Sequence, residues 1–133
     1  MKAKSGFTLV EILIVVVILG ILAAIVIPQF TNASTEAKRN SLMSNLQSIR
    51  SQIELYKVQH NDLKPVLDDF ALQMTGKTDI TGAVDEDGAY GPYLQQIPKE
   101  PFTDDNGVTA DGTTGWNYDA DTGAFTSPSD PNL

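Results

Sequence analysis

His60 is the one histidine available for acid–base work, and the 133 residues contain no cysteine. No Ser-His-Asp spacing and no second imidazole accompany it. It stands where a helical pattern gives way to polar residues, so a solvated or capping role fits it better than a general base. Without cysteine there is no thiolate nucleophile, disulfide or thiolate zinc site. Carboxylates are plentiful, but they fall in Gly- and Asp-rich stretches that lack the apolar pocket needed to raise a carboxyl pKa. The glycines are scattered, and none builds a phosphate-cradling loop at the start of a helix. The expectation is a protein that is not an enzyme.

The acids that remain interesting are grouped near the C-terminal end. Asp104, Asp105, Asn106 and Asp111 precede Trp116, and Asp119 and Asp121 follow it. An all-oxygen donor set suits Ca²⁺, the cofactor these residues would hold. Asp119-Ala-Asp121-Thr-Gly123 has the spacing of half an EF-hand loop, but no Glu stands at its closing position. Aspartates also favour plain solvated turns, so both readings stand.

Glu11 is chemically the odd residue. Between Lys4 and Glu36 it is the only charged side chain. Apart from Gly20, Ile12 to Ile27 is unbroken apolar sequence, preceded by Phe7, Thr8, Leu9 and Val10. As an α-helix, residues 7–27 would measure roughly 31 Å, about the thickness of a bilayer's hydrocarbon core. Insertion at roughly -0.3 to -0.6 kcal/mol per central apolar residue favours the membrane by several kcal/mol. The β-branched residues would suggest a strand in water, but backbone satisfaction in lipid requires a helix. Lys2 and Lys4 ahead of the run keep residues 1–6 in the cytoplasm and place the rest of the chain outside. A carboxylate at the edge of such a span is costly unless it is paired or protonated, or stabilised by the helix N-terminal dipole.

Charge is segregated in the same sense. Residues 1–60 hold six basic and three acidic side chains, whereas residues 61–133 hold three and fourteen, for a total of -8. That balance excludes nucleic acid as a partner, because such binding needs a positive footprint. The picture is an apolar stalk carrying an acidic head.

Beyond the apolar run, Leu42, Leu46, Ile49, Ile53 and Tyr56 recur at helical spacing and predict an amphipathic continuation whose stripe packs on the head. Pro28 predicts a kink or loosened turn over 26–30, and Gly20 a second weak point. After the polar break at His60-Asn61-Asp62, a short helix is expected from Pro65, with Leu67, Phe70, Ala71 and Met74 on one face and Gly76 as its C-cap. Residues 78–91 read as loop. The proline-rich stretch 90–102 is expected to run over a sheet surface, and Trp116–Tyr118 with Ala124–Thr126 to form a β-hairpin. Trp116 and Tyr118 share a face that should cover the helix stripe. Residues 127–133 read as a loose tail. The fold class is α+β: a long kinked N-terminal helix, transmembrane half plus amphipathic half, packed on a small antiparallel β-sheet head. The boundaries are a leader at 1–6, a transmembrane half at 7–29, an amphipathic half at 30–60 and a head at 61–133.

Lys4-Ser5-Gly6-Phe7-Thr8-Leu9-Val10-Glu11 resembles the class III signal of type IV pilins and of the pseudopilins of type II secretion. The resemblance implies that a prepilin peptidase cuts after Gly6 and methylates the new N-terminal Phe7. It also implies that Glu11, the fifth mature residue, pairs with a neighbouring subunit's Phe7 amine and sets the axial register of assembly. The head is similar to that of the major pseudopilins. Gly91-Pro92-Tyr93-Leu94 to Ile97-Pro98-Lys99-Glu100-Pro101-Phe102 looks like their Tyr-Leu…Leu-Pro-x-Asp-Pro-Trp segment, with Glu100 and Phe102 in place of Asp and Trp. Members of that family hold calcium in an acidic loop after this segment.

The function so implied is a structural subunit of a helical pseudopilus filament driving type II secretion. Its partners would be further copies of itself, minor pilin-like subunits, the prepilin peptidase and an inner-membrane assembly platform. It would be stored as a single-pass protein of the cytoplasmic membrane, then become a periplasmic or surface filament. A type IV pilus subunit for adhesion or motility is the alternative within the family. A membrane-tethered module binding a cation or ligand is the alternative outside it.

Overall fold

The computed structural model describes residues 2–133, which divide into two compact units, one ending at Ala37 and the other covering Lys38–Leu133. Helix α1, Leu9–Gln59, contributes to both. In the first unit it is long and apolar enough to cross a membrane, and its apolar side chains are all exposed. The helix does not end at Pro28. The proline lacks the N–H that would bond to the carbonyl of Ala24, so one rung of the ladder is missing there without interrupting the element. Two further carbonyls of this stretch accept a second donor, Ile27 from Thr31 Oγ1 at 3.0 Å and Thr31 from Thr35 Oγ1 at 3.1 Å.

In the second unit the rest of α1 buries Leu42, Leu46, Ile49, Ile53 and Tyr56, the five residues of the stripe read from the sequence. The helix stops through its backbone: Asn61 and Asp62 take φ of 55° and 68°, and the Asp62 N–H donates back to Lys57 O at 2.8 Å. Asn and Asp tolerate this left-handed conformation better than other side chains. Lys57 in the last turn meets the negative end of the helix dipole.

Helix α2, Phe70–Thr75, starts five residues later than Pro65 suggested. Residues 66–70 form tighter turns instead, with Asp69 N on Val66 O and Phe70 N on Leu67 O. The Val66 N–H is taken by Gln73 Oε1 at 2.7 Å and Pro65 O by the Tyr118 hydroxyl at 2.9 Å, which fixes this entry without helix. Gly76 closes α2 with its N–H on Leu72 O, in extended rather than left-handed conformation.

The sheet has three short strands, β1 (Val108–Thr109), β2 (Trp116–Tyr118) and β3 (Phe125–Thr126), in that order. β2 and β3 form the expected antiparallel hairpin, pairing Asn117 with Thr126 and Tyr118 with Phe125. β1 pairs with β2 in parallel, so the sheet is mixed rather than purely antiparallel. A ladder two residues long leaves little distance to travel back, so the connection through 110–115 is short for a parallel pair.

The core joins the α1 stripe, Phe70 and Met74 of α2, Ile97, and Trp116, Tyr118 and Phe125 of the sheet. Trp116 and Tyr118 do share the buried face of β2. The stretch 90–102 does not lie over the sheet alone. Its first part packs on α1 and α2, where the Tyr93 hydroxyl donates to Gln59 Oε1 at 2.7 Å and the Tyr93 and Leu94 N–H groups share Met74 O. Its second part supplies Pro98 O to the Trp116 indole at 2.8 Å.

Candidate functional site

The N-terminal site is built around the first turn of α1. Thr8 is its N-cap: Thr8 O accepts from Ile12 N at 3.3 Å, and Thr8 Oγ1 accepts from Glu11 N at 3.2 Å. Glu11 reaches back in return, its Oε2 accepting from Thr8 N at 2.7 Å and Thr8 Oγ1 at 2.8 Å. This is a reciprocal capping box, satisfying donors that the helix start would otherwise leave orphaned. Only Oε2 is engaged; Oε1 has no partner among the described residues. Thr8 was not singled out from the sequence, although Thr8-x-x-Glu11 before an apolar run carries that signature.

Ser5, Gly6, Phe7 and Glu11 line a single hollow of about 170 Å³. A side chain added at Gly6 would meet nothing within 4 Å. Packing within the chain therefore does not demand glycine there. Phe7 is 86% exposed, and the apolar residues that follow it are exposed as well.

The acids in the head are dispersed. Among the described residues, no three His, Asp or Glu side chains gather where they could hold a metal ion. Asp105 Oδ1 accepts from Gly107 N at 2.7 Å, and Asp111 Oδ1 from the Thr113 N–H and hydroxyl at 3.1 and 2.9 Å. Asp119 Oδ1 accepts from Asp121 N at 2.9 Å and Thr122 N at 3.2 Å. Asp104 faces Lys99 at 3.1 Å. Asp121 and Asn106 are exposed in the same turns. Hydrogen bonds led by the Thr113 side chain hold the Asp111 carboxyl below its ordinary value, and those led by Thr122 do the same for Asp119. Asp119 and Asp121 share a hollow with Asn117 and Leu67.

Two buried titratable side chains are structural. His60 is fully buried, which overturns a solvated reading and keeps the capping one. Its Nδ1 lies 2.8 Å from Tyr56 O, a carbonyl of the last turn of α1, and its Nε2 lies 2.9 Å from Thr78 Oγ1. Its ring stacks on Tyr56 at 4.0 Å between centroids. Glu100 is also fully buried. Its Oε2 accepts from Phe102 N at 2.8 Å and Thr103 N at 2.6 Å, and its Oε1 from Ser127 Oγ at 2.9 Å. Burial alone would raise this carboxyl, but bonds from Thr103, Ser127 and Ser129 outweigh it and hold it below the usual range.

A capped apolar helix that opens the chain, followed by a small α+β unit, defines a pilin-like protein. The model of the prokaryotic N-terminal methylation motif matches residues 1–27. The type II secretion system core protein G of Pseudomonas aeruginosa is 32% identical over 117 residues, covering 86% of this chain and 79% of its own. Those of Vibrio cholerae and Klebsiella pneumoniae are each 29% identical over 115 residues, covering 86% of this chain and 77% and 81% of theirs. No solved structure matches. The chain belongs to the family of the type II secretion system core protein G, the major pseudopilins.

Proposed function

We infer that this chain is a structural subunit of the pseudopilus, the helical filament of type II protein secretion. The observation that carries the reading is the exposed apolar half of α1, with Glu11 as its only charge. In the membrane these side chains face lipid; in the filament they face the same segment of other subunits. That transfer exchanges one apolar environment for another, so the hydrophobic term nearly cancels and helix packing and polar contacts decide the geometry. Glu11 is the polar group positioned to decide it.

Cleavage after Gly6 removes Lys2 and Lys4 and frees a positive amine on Phe7. Thr8 and Glu11 both lie after the cut, so the capping box survives it. Oε1 of Glu11 is then available to the Phe7 amine of an adjacent copy. The exposure of Gly6 and Phe7 supports this reading, because a peptidase must reach the bond between them. Lys2 and Lys4 favour a cytoplasmic leader with the acidic head outside, and minor pilin-like subunits are the natural further partners. The buried titratable groups, His60 and Glu100, hold structure together, and no reaction is assigned to them.

Mass spectrometry of the mature chain tests the reading. The expected N-terminus is N-methylphenylalanine at residue 7, and Gly6→Val should leave the precursor uncut in the membrane. An intact Met1 terminus in assembled filaments would overturn it.

A further inference from the structure

The resemblance to pseudopilins implies a calcium ion tying down the C-terminal loops, and the donors of this chain do not fit that task. Asp105, Asp111 and Asp119 each turn one carboxylate oxygen back onto their own loops, and Asp104 pairs with Lys99. Three buried oxygens in this region, Thr109 Oγ1, Thr114 Oγ1 and Asn117 Oδ1, have no hydrogen-bond partner. All three belong to uncharged groups; Asp111 stands beside Thr109, but among the described residues no three carboxylates converge there. Calcium sites draw their affinity from several carboxylates converging on one point.

The C-terminal segment is nevertheless fastened, at positions spread along its length. Arg50 on α1 donates Nε to Phe125 O at 2.9 Å and Nη2 to Leu133 O at 2.6 Å. Arg39, also on α1, pairs with Asp130 at 3.2 Å. Glu100 receives the Ser127 hydroxyl, whose oxygen in turn accepts from Ser129 N at 3.0 Å. Leu133 packs against the core, so the segment expected to be a loose tail is bound at both ends. The strongest points are Glu100 and Arg50, since charge-assisted bonds with little solvent around them are about twice as strong as neutral ones.

We propose that this head is closed by its own side chains, with Glu100 and Arg50 holding residues 125–133, and that this closure is independent of a divalent cation. Glu100 stays ionised because three donors surround it, and it fixes Ser127 relative to the 98–103 loop. Arg50 ties the last strand and the final residue to one point on α1. Together they link the C-terminal segment to α1 and to the 98–103 loop through direct protein–protein bonds.

The test uses the full chain in detergent micelles, comparing hydrogen exchange over 125–133 and thermal melting in millimolar calcium with excess chelator. Exchange and melting should be the same in both. Glu100→Gln and Arg50→Gln should each speed exchange over 125–133 about tenfold, and calcium should not restore protection. Should Glu100→Gln fail to fold, Ser127→Ala removes the same tie while leaving the carboxylate with its backbone donors, and it should speed exchange there as well. A calcium-dependent rise in wild-type melting that Asp111→Ala, Asp119→Ala or Asp121→Ala abolishes would overturn the proposal. So would unchanged exchange in both Ser127→Ala and Arg50→Gln.

Discussion

Glu11 serves two neighbours in this reading, and substitutions can separate them. Within the chain its Oε2 completes the box with Thr8. Between chains its charge would meet a Phe7 amine. Glu11→Ala removes both roles at once, which makes it a blunt test. Glu11→Gln keeps a carbonyl oxygen for the Thr8 donors but carries no charge. The expected outcome is normal insertion with filament yield as low as in Glu11→Ala, read by shearing and immunoblotting. Normal yield in Glu11→Gln would reduce the residue to its cap. Thr8→Val probes the other half: it should weaken the first turn by about 1 kcal/mol, seen as faster exchange of the first α1 amides. The charge on Glu11 announces itself in the sequence because nothing else in its neighbourhood is charged. Thr8 is legible only together with Glu11, through the Thr-x-x-Glu spacing ahead of an apolar run.

The elements differ in how much of themselves they reveal. The α1 stripe is legible because five residues repeat a period of 3.6 and all face one core. Ile49→Ala should therefore destabilise the second unit by about 2 to 5 kcal/mol in chemical denaturation, against almost nothing for the exposed Ser48→Ala. β1 is invisible by the same logic, since two residues cannot display an alternation. The fastening of 127–133 is hidden for another reason: Ser127 meets Glu100 across 27 positions, and Leu133 meets Arg50 across 83. No local pattern reports a partner at that separation. The loop over 78–91 holds sharp constraints at Gly82, Gly88 and Gly91, and Gly82 is the one that meets the core. Gly82 has φ of +86°, and a Cβ there would stand 2.4 Å from the Tyr56 hydroxyl. Gly82→Ala combines backbone strain with a clash against a buried ring, so its melting temperature should fall well below that of Gly123→Ala. Gly123 also has positive φ, but the nearest neighbour to a Cβ there is the flexible side chain of Lys64.

At the scale of the whole molecule, the buried ionisable groups bracket the pH range in which the head is stable. Glu100 sets the acid side. Its folded carboxyl lies below the ordinary value of 4.5, so the folded state binds fewer protons than the unfolded chain as pH falls. Its contribution is fully present above that value and is lost as pH drops through the lowered one. Tyr56 and Tyr118 set the alkaline side. Burial pushes both phenols from 10.0 up to about 12. Their contribution is fully present below 10 and is lost as pH rises through about 12, by about 2 to 3 kcal/mol for each ring. The Tyr118 hydroxyl also donates to Pro65 O, a bond that the ionised form cannot make. Stability followed by denaturant midpoint should therefore be flat from pH 6 to 9 and fall on both sides. Tyr118→Phe should lower the plateau by about 1 kcal/mol through the lost bond while making the alkaline decline shallower. Glu100→Gln should lower the plateau and flatten the acid limb. An acid limb of unchanged steepness in Glu100→Gln would transfer that limb to the exposed aspartates of the turns, Asp111 and Asp119 first, whose carboxyls are also held low.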